Sequence, residues 1–143
     1  MTIHLRPLAA PDLRTLQNWF SDVETAKRLG GMLPLEAWFA NTKDAPNHKS
    51  QLATDGNLAI GMTTVETYDD NSAGVSILIN PKQRNRGHGK RVVAEALKQL
   101  PNGTAVHAYI DADNPHSAAL FAALGFRRNG IDPDGLTDFV YIK

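Results

Sequence analysis

The densest chemistry in this chain lies in one short segment, Arg84-Asn85-Arg86-Gly87-His88-Gly89-Lys90, where cations alternate with glycines after an apolar run and a proline. A glycine-bearing turn that enters a helix aims several unpaired backbone N–H groups one way, and the helix dipole adds partial positive charge there. The guest that suits such a turn is an anion. Glycine at 87 and 89 lets the backbone approach that anion with no Cβ between them. The segment is not a P-loop, which needs Ser or Thr after Gly-Lys and four residues between its glycines. Nor is it a dinucleotide fingerprint, whose third glycine is replaced here by Val92. It reads as a phosphate cradle of another kind, with a solvated turn leading into a helix as the alternative.

Composition removes several other chemistries. With no cysteine there is no disulfide, no thiolate zinc site and no cysteine nucleophile. The five histidines, His4, His48, His88, His107 and His116, include no pair at the i, i+4 spacing of a helical metal site. Fifteen Lys plus Arg balance fifteen Asp plus Glu, so the chain has no overall field to draw nucleic acid or an anionic membrane, and the basic segment is a local feature. No apolar run approaches the roughly 20 residues of a membrane helix, and the charged opening MTIHLRPLAAPDLRTL lacks a signal peptide's apolar centre. A cytoplasmic setting is expected.

The elements that must position the cradle follow from periodicity. IHLRPL alternates like a first strand, and in APDLRTLQNWF the residues Leu13, Leu16, Trp19 and Phe20 recur at helical spacing, with Asp12 as cap. LPLEAWFA predicts a second short helix after Pro34, with Trp38 and Phe39 buried or lining a cleft. HKSQLAT and NLAIGMTTVET predict a hairpin turned at Asp55-Gly56, and VSILIN the strand that enters the cradle. The helix after the cradle shows Val92, Val93, Ala96, Leu97 and Leu100 on one apolar face and stops at Pro101-Asn102-Gly103. TAVHAYI is a strand. NPHSAALFAALG is a helix with Asn114 as N-cap, Pro115 at its first position and Gly125 as its stop, and FRRNG and FVYIK close the fold around DPDG. The expectation is one domain, residues 1–143, built as a mixed α/β sheet with helices on both faces. The unit from Val75 to Ile110 is a strand-helix-strand crossover, which puts the cradle at a strand's C-terminal end, where open sheets bind ligands.

Arg84-Asn85-Arg86-Gly87-His88-Gly89 after a strand resembles the Arg/Gln-x-x-Gly-x-Gly/Ala signature of the GNAT superfamily of N-acetyltransferases. The segment NPHSAALFAALGF, with Asn114, Ser117 and Phe121, resembles the same family's second motif, and both fall in the right order and distance. The opening LRPLAAPDL is similar to the start of the branch that acetylates ribosomal-protein N-termini, polyamines and aminoglycosides. The resemblance implies a mostly antiparallel sheet with a splayed strand pair that binds acetyl-CoA. In that scheme the backbone amides from Arg86 to Lys90, within the cradle of Arg84, Asn85, Arg86, Gly87, His88, Gly89 and Lys90, take the pyrophosphate. Arg84, Arg86 and Lys90 add charge. Ile77, Leu78 and Ile79 pair with the pantetheine amides like an added strand. Asn114 and Ser117 belong to the cofactor-contacting motif, and Phe121 lies along the pantetheine. Asn114 as helix cap and Phe121 as core residue are the competing explanations.

The implied activity is transfer of an acetyl group to a primary amine by direct attack on the thioester. An amine with a reference pKa of about 10.4 must first lose a proton, and the thiol leaving group, about 8.5 by analogy with cysteine, can need one returned. Here the chain departs from the family pattern: Phe121 stands where many members carry a tyrosine acid, and Gly74 and Tyr109 stand where many carry a glutamate base. Strand alternation puts Ala105, His107, Tyr109 and Asp111 on one face, so Tyr109 is the candidate acid and His107 or Glu66, through water, the candidate base. Trp19, Phe20, Trp38 and Phe39 belong to the segment that covers the acceptor in the family. The implied acceptor is a small-molecule amine or a peptide N-terminus, with neither nucleic acid nor membrane as partner and a homodimer allowed for. A catalytically silent acyl-CoA-binding module of the same fold and a nucleic-acid binder are the rival readings.

Overall fold

The computed structural model describes residues 2–143. Among them the chain runs β1 (His4–Pro7), α1 (Leu13–Trp19), α2 (Val23–Leu29), α3 (Leu35–Thr42), β2 (His48–Asp55), β3 (Leu58–Thr67) and β4 (Ser72–Ile79). It continues through α4 (His88–Leu97), β5 (Ala105–Ile110), α5 (Pro115–Ala123), β6 (Arg127–Ile131) and β7 (Thr137–Ile142). The strands form one sheet in the order β1-β2-β3-β4-β5-β7-β6. Every neighbouring pair is antiparallel except β4 and β5, joined in parallel through α4. This is the mixed sheet that the element order predicted.

Alternation along the strands explains why helices cover both faces. Ala73 and Val75 of β4 pack with Val93, Ala96 and Leu97 of α4 and with Val106, Phe121 and Phe139. Leu78, at the opposite parity, joins Leu52 and Met62 against Leu16, Trp19, Phe20 and Leu35 from the α1–α3 side. Each Val, Leu, Met or Phe among them contributes roughly 1.5–3 kcal/mol when removed from water, so an uncovered face would be costly. Trp38 and Phe39 are half-buried against the second cluster, and Trp19 and Phe20 lie inside it.

The capping signals of α5 act as read. The Asn114 side chain accepts from the Ser117 N–H at 3.2 Å, and Pro115 occupies the first turn. Gly125, at φ +96°, ends the helix: its N–H bonds Ala122 O and the Phe126 N–H bonds Phe121 O, both at 3.0 Å, while the Phe121 and Phe126 rings meet edge to face at 5.1 Å. Elsewhere the structure corrects the sequence. The β2–β3 turn centres on Gly56 and Asn57, because Asp55 pairs with Leu58 and Gly56 alone needs positive φ. Asp12 caps nothing with its side chain in α1; its carboxylate is held by Arg6 through two 2.8 Å bonds and accepts the Ala9 N–H. β4 begins at Ser72, three residues before the expected start, and α2 is a helix that periodicity did not reveal.

One feature of the sheet matters most for function. β4 pairs with β3 from Ala73 to Ile79, but with β5 only where Ser72, Ala73 and Gly74 meet Ala105, Val106 and His107. Beyond Gly74 the two strands part. A Cβ at Gly61 would lie 2.6 Å from Leu78 O and 2.9 Å from Ile79 Cδ1, so glycine there lets the end of β4 settle close on β3 as it leaves β5.

Candidate active site

The parted strands leave the β5-facing backbone of Val75 to Ile79 without a strand partner, and the gap opens into a cavity of about 710 Å³. That is within the roughly 300–1,000 Å³ range of small-molecule sites. Its walls are Val75–Ile79 of β4, Tyr109–Asp111 of β5, the start of α5 with Asn114, Ser117 and Phe121, and Glu24, Thr25, Arg28 and Leu29 of α2. One end is closed by the turn before α4, including Arg84, Asn85, Gly87, His88, Gly89 and Lys90.

That turn has two left-handed residues, Asn85 at φ +63° and Gly87 at φ +77°, and Gly87 occupies the N-cap of α4 with no side chain capping the helix. No N-cap side chain occupies the first-turn N–H groups, an arrangement suited to an anionic ligand. Local geometry adds its own reasons for the two glycines. A Cβ at 87 would meet nothing within 4 Å, so glycine is favoured there by its φ alone; a Cβ at 89 would come 2.5 Å from Leu120 Cδ1, so a side chain there would have to turn the tip of Leu120 aside. His88, a cradle residue by its place in the sequence, turns inward. It is 3% exposed, and neither ring nitrogen has a hydrogen-bond partner among the described residues.

The α2 helix is bound over this cavity by ion pairs at both ends. At its N-terminus the Asp22 carboxylate accepts from the Thr25 N–H at 3.0 Å and from Arg84 Nη2 at 2.6 Å. The Arg84 hydrogen bond, seconded by the Thr25 amide, holds the Asp22 carboxyl at about 2. Near its C-terminus Arg28 donates to Glu24, to Asp111 at 2.9 Å and to Asp113 at 2.5 Å, and Lys27 reaches Asp113 at 2.9 Å. Lys27 and Arg28 hold the Asp113 carboxyl at about 2, and the carboxylates raise Arg28 further above its ordinary value. Arg84, expected to add charge for the ligand, thus already has a partner, while Lys90 lines the cavity directly.

The sheet face opposite α4 and α5 carries a polar cluster where the strands begin to part. His107 Nδ1 lies 2.8 and 3.1 Å from the two Asp138 oxygens, and Asn129 Nδ2 donates to Asp138 at 3.0 Å. Tyr109 is 50% exposed and stacks on the His107 ring, 5.9 Å between centroids and 7° from parallel. Burial first, and Asp138 and Asp132 second, push its phenol above the usual value. From the other bank, the Tyr68 hydroxyl donates to Glu66 at 3.1 Å and would lie 3.8 Å from a Cβ at Gly74. Burial, then Glu66, raises the Tyr68 phenol as well.

This combination of splayed parallel strands, an uncapped helix N-terminus and a cavity joining them agrees with the comparisons. A family model described as an acetyltransferase (GNAT) domain matches residues 2–127. The chain belongs to the GNAT acetyltransferase family. A curated relative, the uncharacterized N-acetyltransferase YfmK of Bacillus subtilis strain 168, is 32% identical over 127 residues, covering 87% of this chain and 84% of the relative. Among solved structures, an acetyltransferase from Thermus thermophilus superposes with TM-score 0.84 at 24% identity, over 100% of this chain and 98% of the other. Spermidine N-acetyltransferase from Vibrio cholerae, in complex with CoA and spermine, superposes with TM-score 0.77 at 18% identity, over 96% and 92% of the two chains.

Within this acetyltransferase the sequence-derived candidates divide into three groups. Ile77, Leu78, Ile79, Arg84, Asn85, Gly87, His88, Gly89, Lys90, Asn114, Ser117 and Phe121 all line the cavity, whereas Arg86 is exposed outside its lining. Tyr109 alone of the catalytic candidates lines it; His107 and Glu66 sit one row back on the sheet face. Sequence reasoning missed α2, although Asp22 before it and Lys27-Arg28 at its end are start and stop signals. It also missed Tyr68, Asp138 and Asn129, whose places depend on strand register.

Proposed function

We propose that the chain, as one domain over residues 1–143, transfers an acetyl group from acetyl-CoA to a primary amine. The observation that carries this reading is the unpaired edge of β4, which leads through the turn at 80–87 to the uncapped N-terminus of α4. A linear ligand with amides at one end and phosphates at the other matches that surface: Ile77, Leu78 and Ile79 offer strand-like backbone groups, and the amides from Arg86 to Lys90 suit the pyrophosphate. Bound acetyl-CoA supplies the activated acyl carbonyl. The protein's own groups do the rest. Tyr109, a phenol that is protonated at neutral pH even at its ordinary value and that burial and Asp138 raise further, holds a proton for the leaving sulfur. His107, or Glu66 through Tyr68, takes the proton that the ammonium form of the acceptor must lose.

The acceptor is a small amine or a peptide N-terminus, and the acidic groups flanking Tyr109 favour a cationic one. A cytoplasmic setting and a homodimer belong to the same proposal and are checked by fractionation and by light scattering. The test of the function is twofold: calorimetric titration with CoA, and release of free thiol from acetyl-CoA with a panel of primary amines. Binding with turnover supports the reading. Binding with no turnover on any amine makes the chain a silent acyl-CoA-binding module, and absence of binding removes the cradle altogether.

A further inference from the structure

We infer that Asp138 is a positioning residue that fixes His107 as the proton acceptor on the open face of the splayed strands, with Asn129 holding Asp138 in turn. The inference rests on the acetyltransferase reading. It begins with register. His107 sits opposite Gly74 in the last bonded row of β4 and β5, so its side chain stands where the strands part. Asp138 is paired with Tyr109, one row further along, and reaches back diagonally to His107 Nδ1 at 2.8 Å. Its carboxylate is largely buried, and one oxygen is also tied down by Asn129 at 3.0 Å. An aspartate spent only on solubility would not be enclosed and bonded on both sides.

The chemistry follows from which nitrogen is occupied. An ionised Asp138 only accepts hydrogen bonds, so neutral His107 carries its proton on Nδ1 and leaves Nε2 with a lone pair. Nε2 has no hydrogen-bond partner among the described residues. On the β4 side of His107 stands Gly74, which has no side chain, and the boundary of that space is the Tyr68 hydroxyl. An ammonium group entering there gives one proton to Nε2: its N–H bond breaks, the electron pair stays on the amine nitrogen, and the imidazolium formed is stabilised by Asp138 until solvent takes the proton. The other charged or titratable groups facing the ring are Tyr109, stacked on it, and Asp70 in the β3–β4 turn, with Glu66 and Tyr68 across Gly74.

The experiment uses the intact chain labelled with ¹⁵N-histidine, and long-range ¹H–¹⁵N correlations read the tautomer of His107 in the free protein. The expected result is the Nδ1–H tautomer in the wild type and a shift toward Nε2–H in Asp138→Asn, whose amide N–H can donate to Nδ1. Asp138→Asn is expected to lower kcat by roughly 10²- to 10⁴-fold, the range of a positioned acid–base group, with CoA affinity and acceptor KM near wild type. His107→Ala is expected to lose activity to a similar degree and to regain part of it with added imidazole. An Nε2–H tautomer in the wild type overturns the proposal, as does an unchanged tautomer in Asp138→Asn or full kcat in His107→Ala. Should Asp138→Asn fail to fold, the wild-type tautomer and Asn129→Ala, expected to lower kcat less, still decide. If CoA fails to bind, the acetyltransferase reading falls while the tautomer result stands alone.

Discussion

At the scale of single residues, the proposed chemistry divides between Tyr109 and the cradle glycines. Phe121, where the resemblance would put a tyrosine acid, is fully buried with its ring against Phe126 and has no proton to give. Tyr109 lines the cavity, and its phenol, protonated in the neutral range even at its ordinary value, is raised further. Tyr109→Phe is therefore expected to lower kcat by roughly 10²- to 10⁴-fold with CoA affinity unchanged, while Phe121→Tyr restores little, because its hydroxyl would enter the core. Steady-state rates with calorimetry check this, and an unchanged Tyr109→Phe rate would remove Tyr109 from the mechanism. The glycines separate by their different reasons. Gly87→Asn is expected to keep CoA binding, since asparagine tolerates a left-handed backbone and Asn85 already adopts one in the same turn. Gly89→Val puts a branched side chain against Leu120 Cδ1 in the first turn of α4, where the anion is proposed to sit, so CoA binding is expected to weaken. Titration giving the opposite order would mean that the turn is not the ligand's seat.

At the scale of elements, α2 is the wall of the cavity held most by charge and least by burial. Of its residues only Thr25 is fully buried, and Val23 is largely exposed. Its attachment is Arg84 to Asp22 at one end and Lys27 and Arg28 to Asp111 and Asp113 at the other. Asp22 and Asp113 titrate near 2 in the folded protein against 3.8 for the free side chain, so their contribution to α2 is complete above about pH 4 and is lost as pH falls toward 2. Hydrogen exchange is expected to rise in 23–29 over that window before it rises in β5, and added salt should widen the difference because the pairs are partly exposed. Equal protection of both segments at pH 3 would show that the pairs hold nothing in place. The same charges explain why the apolar pattern did not reveal α2 while α4 and α5 were legible. Asn114, Pro115, Gly125 and Gly87 act on their own chain neighbours, so they can be read in order. The partners of α2 lie 62 to 86 residues away in sequence, and its apolar residues are too few to set a period. Tyr68 and Asp138 were hidden for a related reason: they reach the open face only once β3, β4, β5 and β7 are in register, which no local signal records.

At the scale of the whole molecule, apolar clusters pack on both faces of one sheet, and both tryptophans belong to only one of them. Trp19 and Trp38 pack on the α1–α3 side, whereas α4 and α5 cover the other face. If the layers were independent, tryptophan emission would report the loss of α1 and α3 while circular dichroism still recorded an intact sheet. The strands argue against independence: β3 sends Met62 to one cluster and Val65 to the other, and β4 sends Leu78 to one and Val75 to the other. Removing either helical layer exposes residues on strands that the opposite layer needs in place. Urea unfolding followed by both signals is therefore expected to give one coincident transition. CoA, bound where β4 and β5 part, should raise both signals together, by about 2.7 kcal/mol at a hundredfold excess over Kd and so roughly 5–10 °C for a chain of this size. An early tryptophan transition that CoA leaves in place would show the α1–α3 layer opening by itself; the acceptor side of the cavity would then be a mobile wall and not part of the cooperative core.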